Sequence, residues 1–308
     1  MNVYKAKAGR FLLYLDILGF KQLIRHRSPE EVYATVDQML RETAERERGI
    51  PDFTTLYFSD TIVFFQKSVG YGSWAFGDIY SLTAMIWSAL AARKIPTRGA
   101  IAFGDFHAEP DSRGQHTVFF GEALIEAYET EKLENWIGVT LCPSAVEIVN
   151  YVEPNRLTQM LNEPGAFDYV DQIEKEHAAY TPAVFVEYFK KAQPTVLHRT
   201  ACRRVLLNPL YFLHQTWFAD VYDEGVVSYP LHHDSVHFAH DILSLKFILQ
   251  TAEEPDGADP ERNKVLAKYR NTAALLRQMF PSECIEWALK LYETFPDQAD
   301  EGWGDWKK

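Results

Sequence analysis

The segment Arg10-Phe11-Leu12-Leu13-Tyr14-Leu15-Asp16-Ile17 constrains the fold more than any other. A nearly unbroken apolar run of this length, broken by Gly19, reads as a strand buried on both faces, inside a layered domain of sheet and helices. The run ends in a carboxylate. At such a place Asp16 costs on the order of several kcal/mol unless it is paired, hydrogen-bonded or bound to metal.

The sequence that follows alternates strands and helices. Residues from about Pro29 to Glu47 have helical spacing, with Val32, Val36, Met39 and Leu40 on one face; Ser28 is the expected N-cap, with Pro29 first in the helix and Glu31 completing a capping box. Phe53–Phe58 and Thr61–Phe65 are joined by Ser59-Asp60 and predict a β-hairpin with that pair at its tip. A helix is expected from about Asp78 to Arg93, then strands at Arg98–Gly104 and Thr117–Phe120, a helix over Glu122–Glu134, a strand over Trp136–Leu141, and a helix beginning at Ser144. The order β-α-β-β-α-β-β-α-β fits a ferredoxin-like α+β unit with an additional hairpin, and places Asp16 and Asp60 on neighbouring central strands.

The second half is less regular. Ala183–Phe189 and Val205–Leu213 are candidate strands to complete the sheet, and helices are expected at Val236–Leu249, Pro260–Phe280 and Ser282–Phe295, with a loop over Glu253–Asp259. The chain is therefore divided into an α+β domain over 1–210 and a mainly helical C-terminal extension over 211–308.

Composition narrows the function. With 31 Lys+Arg against 43 Asp+Glu the formal charge is −12, which argues against general binding to nucleic acid, a process that needs surplus cations against phosphates. Cys142, Cys202 and Cys284 are too few and too scattered for a disulfide framework or a Cys-based zinc site. No membrane span and no signal peptide is expected, so the predicted location is the cytoplasm.

Asp60 repeats the situation of Asp16, a carboxylate between almost wholly apolar arms. Two such groups brought together repel, and a divalent cation cancels the repulsion; oxygen donors select Mg²⁺ or Mn²⁺. The alternative is that each caps a nearby turn. Gly19 and Phe20 follow Asp16 in a turn of a common strand–Gly–helix kind, whose backbone N–H groups suit phosphate oxygens, and Arg98 opens a strand expected beside Asp16, where a guanidinium suits a triphosphate; the alternative is a solvated strand-end arginine.

These residues resemble class III nucleotidyl cyclases over about residues 8–150. Tyr14-Leu15-Asp16-Ile17-Leu18-Gly19-Phe20 is similar to the family's first metal motif. Tyr57-Phe58-Ser59-Asp60-Thr61 is similar to the second, where Gly-Asp usually stands, and Arg98-Gly99-Ala100-Ile101-Ala102-Phe103-Gly104 to the strand with the phosphate-binding arginine. Phe120-Gly121-Glu122 resembles the aromatic-Gly strand end before a helix. Many members carry an Asn and an Arg on that helix; Ile125 and Glu129 stand there in this chain. Leu56 and Tyr57 form no purine code, and the pattern is similar to the bacterial pyrimidine cyclases of the Pycsar antiphage system.

The resemblance implies a cyclase converting UTP, or less readily CTP, to the 3′,5′-cyclic monophosphate and pyrophosphate. Two divalent ions, Mn²⁺ or Mg²⁺, would be held by Asp16, Asp60 and the Ile17 carbonyl. Gly19, Phe20, Ser59 and Arg98 would contact phosphates, and Tyr57 or Leu56 would border the base. It also implies a homodimer with sites at the interface and an effector that responds to the cyclic nucleotide. A purine cyclase and a catalytically silent nucleotide-binding sensor are the alternatives. Outside this set, His233, His237 and His240 have helical spacing that would suit zinc, although a helix start with surface or interface histidines is the plainer reading. Arg203-Arg204 near His198 and Arg199 is a small basic cluster that reads as solvated, and Tyr211, Phe212, Trp217 and Phe218 read as core.

Overall fold

The computed structural model describes residues 8–31, 33–34, 37–38, 41, 52–72, 75–110, 117–154, 185–190, 202–207, 236–280 and 282–294. β1 (Arg10–Ile17) runs into α1 (Phe20–His26), and the hairpin β2 (Phe53–Phe58) and β3 (Thr61–Gln66) leads to α2 (Ala75–Ala92) and β4 (Thr97–Gly104). A second hairpin, β5 (His107–Pro110) and β6 (Thr117–Phe120), precedes α3 (Glu122–Leu133), β7 (Val139–Leu141) and α4 (Pro143–Val152). Strands β8 (Phe185–Lys190) and β9 (Cys202–Leu207) are followed by helices α5 (Val236–Ala252), α6 (Pro260–Met279) and α7 (Ser282–Thr294).

The sheet order is β2-β3-β1-β4-β7-β9-β8. β1 pairs antiparallel with both β3 and β4, while β4 pairs parallel with β7. The first four strands therefore have the 2-3-1-4 order of a ferredoxin-like split βαβ unit, and the fold is α+β as expected. β1 lies inside the sheet, with Phe11, Leu12, Leu13 and Leu15 fully buried, which is why its sequence shows no polar alternation.

Alternate residues of the central strands feed two cores. Leu13, Leu15 and Ile17 pack with Ile101, Phe103 and α2 on one face; Leu12 and Tyr14 pack with Ala100, Ala102, Val63 and the α3 residues Ala123 and Ala127 on the other. The first core continues into the C-terminal helices through Ile242, Leu245, Ile248, Tyr269, Ala273 and Leu276. Ser244 Oγ of α5 donates to the Ser88 carbonyl of α2 at 3.0 Å, fixing the two helices against each other.

Several boundaries differ from expectation. β5 was not expected; it pairs His107–Pro110 with Thr117–Phe120 as a separate two-stranded sheet, and its alternation is too short to register as a strand. β7 begins at Val139 rather than Trp136, because Trp136 and Ile137 belong to the connection that leaves α3. β9 begins at Cys202, three residues before the expected Val205, and residues 208–213 lie outside the described set. The 18-residue α2 is long and apolar enough to cross a membrane by length and composition, although no membrane span was expected. The same apolarity serves burial between the sheet and α5, with Ile79, Leu82, Ile86, Trp87 and Leu90 all buried.

The Ser28 capping box forms as expected: Glu31 N–H donates to Ser28 Oγ at 3.2 Å and Ser28 N–H to Glu31 Oε2 at 2.9 Å. The expected inner face of that helix, Val32, Val36, Met39 and Leu40, lies outside the described residues, as do Tyr211, Phe212, Trp217 and Phe218.

Candidate active site

Pairing of the central strands builds the site. Asp16, the penultimate residue of β1, is opposite Thr61 of β3 and opposite Arg98 of β4. The β2–β3 tip reaches the same point, since Ile17 N–H donates to the Asp60 carbonyl at 2.8 Å. Two carboxylate residues 44 positions apart are thus brought side by side. Two glycines permit this. Gly19 turns the chain after β1 with φ of 75°, a conformation that side-chain-bearing residues avoid. At Gly99 a Cβ would lie 2.2 Å from the Tyr14 carbonyl oxygen, so only glycine lets β4 come this close to β1.

The electrostatics follow from burial. Asp16 has its carboxyl pushed above the usual range, first by burial, with the nearby charge of Asp60 adding to the effect and Arg98 opposing it. Arg98 Nε lies 3.6 Å from Asp16 Oδ2 and forms a closer ion pair with Glu131 of α3; Arg98 Nη1 donates to the Glu134 carbonyl at 3.2 Å. Glu131 is almost wholly buried, and burial lifts its carboxyl to about 7 despite Arg98 beside it. Lys268 of α6 is brought down to about 8 by burial and then by the charge of Arg98, with Glu131 and Asp16 pulling the other way. Tyr14 is buried on the same sheet face, its hydroxyl 3.2 Å from Thr61 Oγ1.

No family model matches the chain, and no curated protein matches it. Among solved structures it is similar to the guanylyl cyclase domain of a fusion protein from the aquatic fungus Blastocladiella emersonii (TM-score 0.42, 12% identity, covering 47% of this chain and 84% of that one). It is also similar to the catalytic core of a rhodopsin-guanylyl cyclase in complex with ATPαS (0.45, 10%, 66% and 96%) and to an adenylyl cyclase from P. aeruginosa (0.41, 11%, 65% and 93%).

The donor set suits a hard cation. Asp16 and Asp60 offer only oxygen, and the charge of Asp60 disfavours ionisation of Asp16, a conflict that a bound Mg²⁺ or Mn²⁺ would relieve. Among the described residues no group of three or more His, Cys, Asp or Glu is placed to hold a metal ion. His240 is buried against Arg93, with Nε2 3.4 Å from Arg93 Nη1; His232 and His233 lie outside the described residues.

The remaining predicted residues separate by position. Leu56 packs on the sheet face that carries Asp16 and Arg98, whereas Tyr57 packs into the opposite core, so the two do not border one pocket. The buried Tyr57 hydroxyl has no hydrogen-bond partner among the described residues, and burial raises its pKa. Phe58, on the Leu56 side, stacks on Phe119 with ring centroids 5.3 Å apart. Ser59 is exposed at the tip with φ of 54°. Phe20 opens α1 and packs partly against the core. Ile125 and Glu129 both face outward from α3.

Sequence reasoning missed Glu131 and Lys268. Glu131 carried a signal: Ala123, Ala127 and Glu131 are spaced by four on a helix whose small residues face the sheet, which puts a carboxylate on the buried stripe. Lys268 carried none, since nothing in its helix pattern indicates what α6 packs against.

Proposed function

We propose that this chain is a nucleotidyl cyclase whose site is organised by Asp16, Asp60 and Arg98. The observation that carries the reading is the convergence of two partly buried carboxylates, from the end of β1 and the β2–β3 tip, opposite an arginine of β4. The order and local sequence of these three motifs resemble class III cyclases, and that resemblance supports the chemistry.

Asp16 and Asp60 would hold Mn²⁺ or Mg²⁺, which when bound supplies the charge that lowers the pKa of a ribose 3′-hydroxyl and neutralises a triphosphate. The Ile17 carbonyl is proposed as a further oxygen donor. Arg98, with Gly19, Phe20 and Ser59, is assigned to the phosphates; a guanidinium at the strand end takes phosphate oxygens in fork geometry. Holding the hydroxyl in line with the α-phosphorus accounts for much of the acceleration, as positioning and fixed charge do for phosphoryl transfer generally.

The substrate is proposed to be a pyrimidine nucleoside triphosphate, UTP before CTP, and the product a cyclic second messenger that acts on an effector in antiphage defence. Leu56, which shares the Asp16 face of the sheet, is the better candidate of the two residues for the base. A homodimer is proposed on the exposed apolar side chains of Val118, Phe120, Ile125 and Tyr128, which cover β6 and α3 beside the site.

Purified protein incubated with Mn²⁺ and each of the four ribonucleoside triphosphates tests this directly. Pyrophosphate and a cyclic monophosphate, chiefly from UTP, are expected by mass analysis. Asp60→Ala is expected to lower the rate by about 100-fold or more; normal cyclisation by that variant would discard the assignment. Products from ATP or GTP alone would retain the cyclase and reject the pyrimidine substrate.

A further inference from the structure

Arg98 is pulled by three groups. Its Nε pairs closely with Glu131 and lies 3.6 Å from Asp16, and its Nη1 bonds the Glu134 carbonyl at 3.2 Å. The segment carrying that carbonyl is fastened by α6: Asn271 Nδ2 donates to the Asn135 carbonyl at 2.6 Å, and Thr272 Oγ1 accepts from Ile137 N–H at 2.7 Å. A guanidinium beside Asp16 and a divalent cation on Asp16 compete for one carboxylate, because each neutralises the same charge. Glu131 is the group that draws the guanidinium the other way.

We propose that Glu131 is a positioning residue that holds Arg98 off Asp16, with the Glu134 carbonyl braced from α6, so that the Asp16 carboxylate is left for a divalent cation. The proposal rests on the cyclase reading for its purpose and not for its test. Glu131 needs no contact with nucleotide or cation, and its buried place on α3 suits a fixed anchor. Removing its charge lets Arg98 settle on Asp16, and the cation then has to displace an ion pair.

The test is Mn²⁺ binding without nucleotide, followed by EPR or water-proton relaxation at pH about 8, where Glu131 is ionised. Glu131→Gln is expected to weaken Mn²⁺ binding by about tenfold, and the same change in an Arg98→Gln background is expected to cost less than about twofold. That non-additivity separates holding Arg98 from simple attraction of the cation by a negative charge, which would cost the same factor in both backgrounds. Equal losses in both backgrounds, or no loss in either, overturn the proposal. If Glu131→Gln does not fold, Glu131→Asp keeps the charge and withdraws it from Arg98 by one methylene; a loss of about threefold or more is expected, and wild-type affinity overturns the proposal. Wild-type protein that binds Mn²⁺ but releases no pyrophosphate from any triphosphate defeats the cyclase reading alone. Wild-type protein that binds no Mn²⁺ defeats both.

Discussion

Ser59 has a φ of 54° at the first position of the β2–β3 turn, a left-handed conformation that costs a residue with a side chain roughly 1 kcal/mol or more. The resembling family places glycine there. Ser59→Gly is therefore expected to raise unfolding free energy by up to about 1 kcal/mol, read from urea midpoints at constant slope, with β-branched Ser59→Val lowering it. Glu131 is expected to make stability depend on pH. Burial lifts its folded pKa to about 7 from an ordinary 4.5. Between those values the folded chain keeps a proton that the unfolded chain has released, so the stability contribution is present below the lower value and falls as pH rises through the upper one. Glu131→Gln is expected to flatten that fall, seen as a smaller difference in unfolding free energy between pH about 5 and about 8. At this scale the sequence showed the acidic pair because aspartates stand out in apolar strands. It did not show Lys268, whose environment is made by contacts more than a hundred residues away along the chain.

Strand β4 can sit against β1 only because of Gly99. A methyl group there would meet the Tyr14 carbonyl oxygen at 2.2 Å and Leu15 Cδ2 at 2.7 Å, and the first of these is backbone of a central strand that cannot give way. Gly99→Ala is expected to cost about 3 kcal/mol and to displace Arg98, its neighbour on β4, from Asp16. Circular dichroism melts would show the first effect, and, on the proposed cyclase reading, a loss of pyrophosphate release in protein still folded at low temperature the second. The elements themselves were largely legible: β1, the hairpin, α2, α3 and all three C-terminal helices fall within a few residues of their sequence patterns. The failures have a common cause. β5 and β7 are four and three residues long, too short for alternation to be distinguished from loop, and they exist because a neighbouring strand supplies their hydrogen bonds. Tyr57 shows the converse: the family resemblance suggested a base-pocket residue, but the two-residue period of β2 turns it into the core on the other side of the sheet.

At the scale of the whole molecule, the C-terminal helices are joined to the sheet by more than chain connectivity. Ile248 and Leu245 of α5 are fully buried in the same core as Leu13 and Leu15 of β1, with α2 between them. The sequence indicated helices here without saying where they dock, because an amphipathic stripe specifies that a face is covered and not by what. If the core is continuous, damage in α5 must reach β1. Ile248→Ala removes buried side-chain volume and is expected to cost about 2–5 kcal/mol, since neighbours close such a cavity only in part. Because α2 loses its support on one side, the amide protons of Leu12–Leu15 are expected to exchange faster by the factor that corresponds to the same free energy, if their exchange requires global opening. Native-state hydrogen exchange followed by mass spectrometry reads both quantities on one sample. Accelerated exchange confined to α5, α6 and α7, with β1 protected as in the wild type, would mean that the helices open independently of the sheet. In that event the α6 contacts to the Asn135–Ile137 segment could not serve as a steady brace for Arg98.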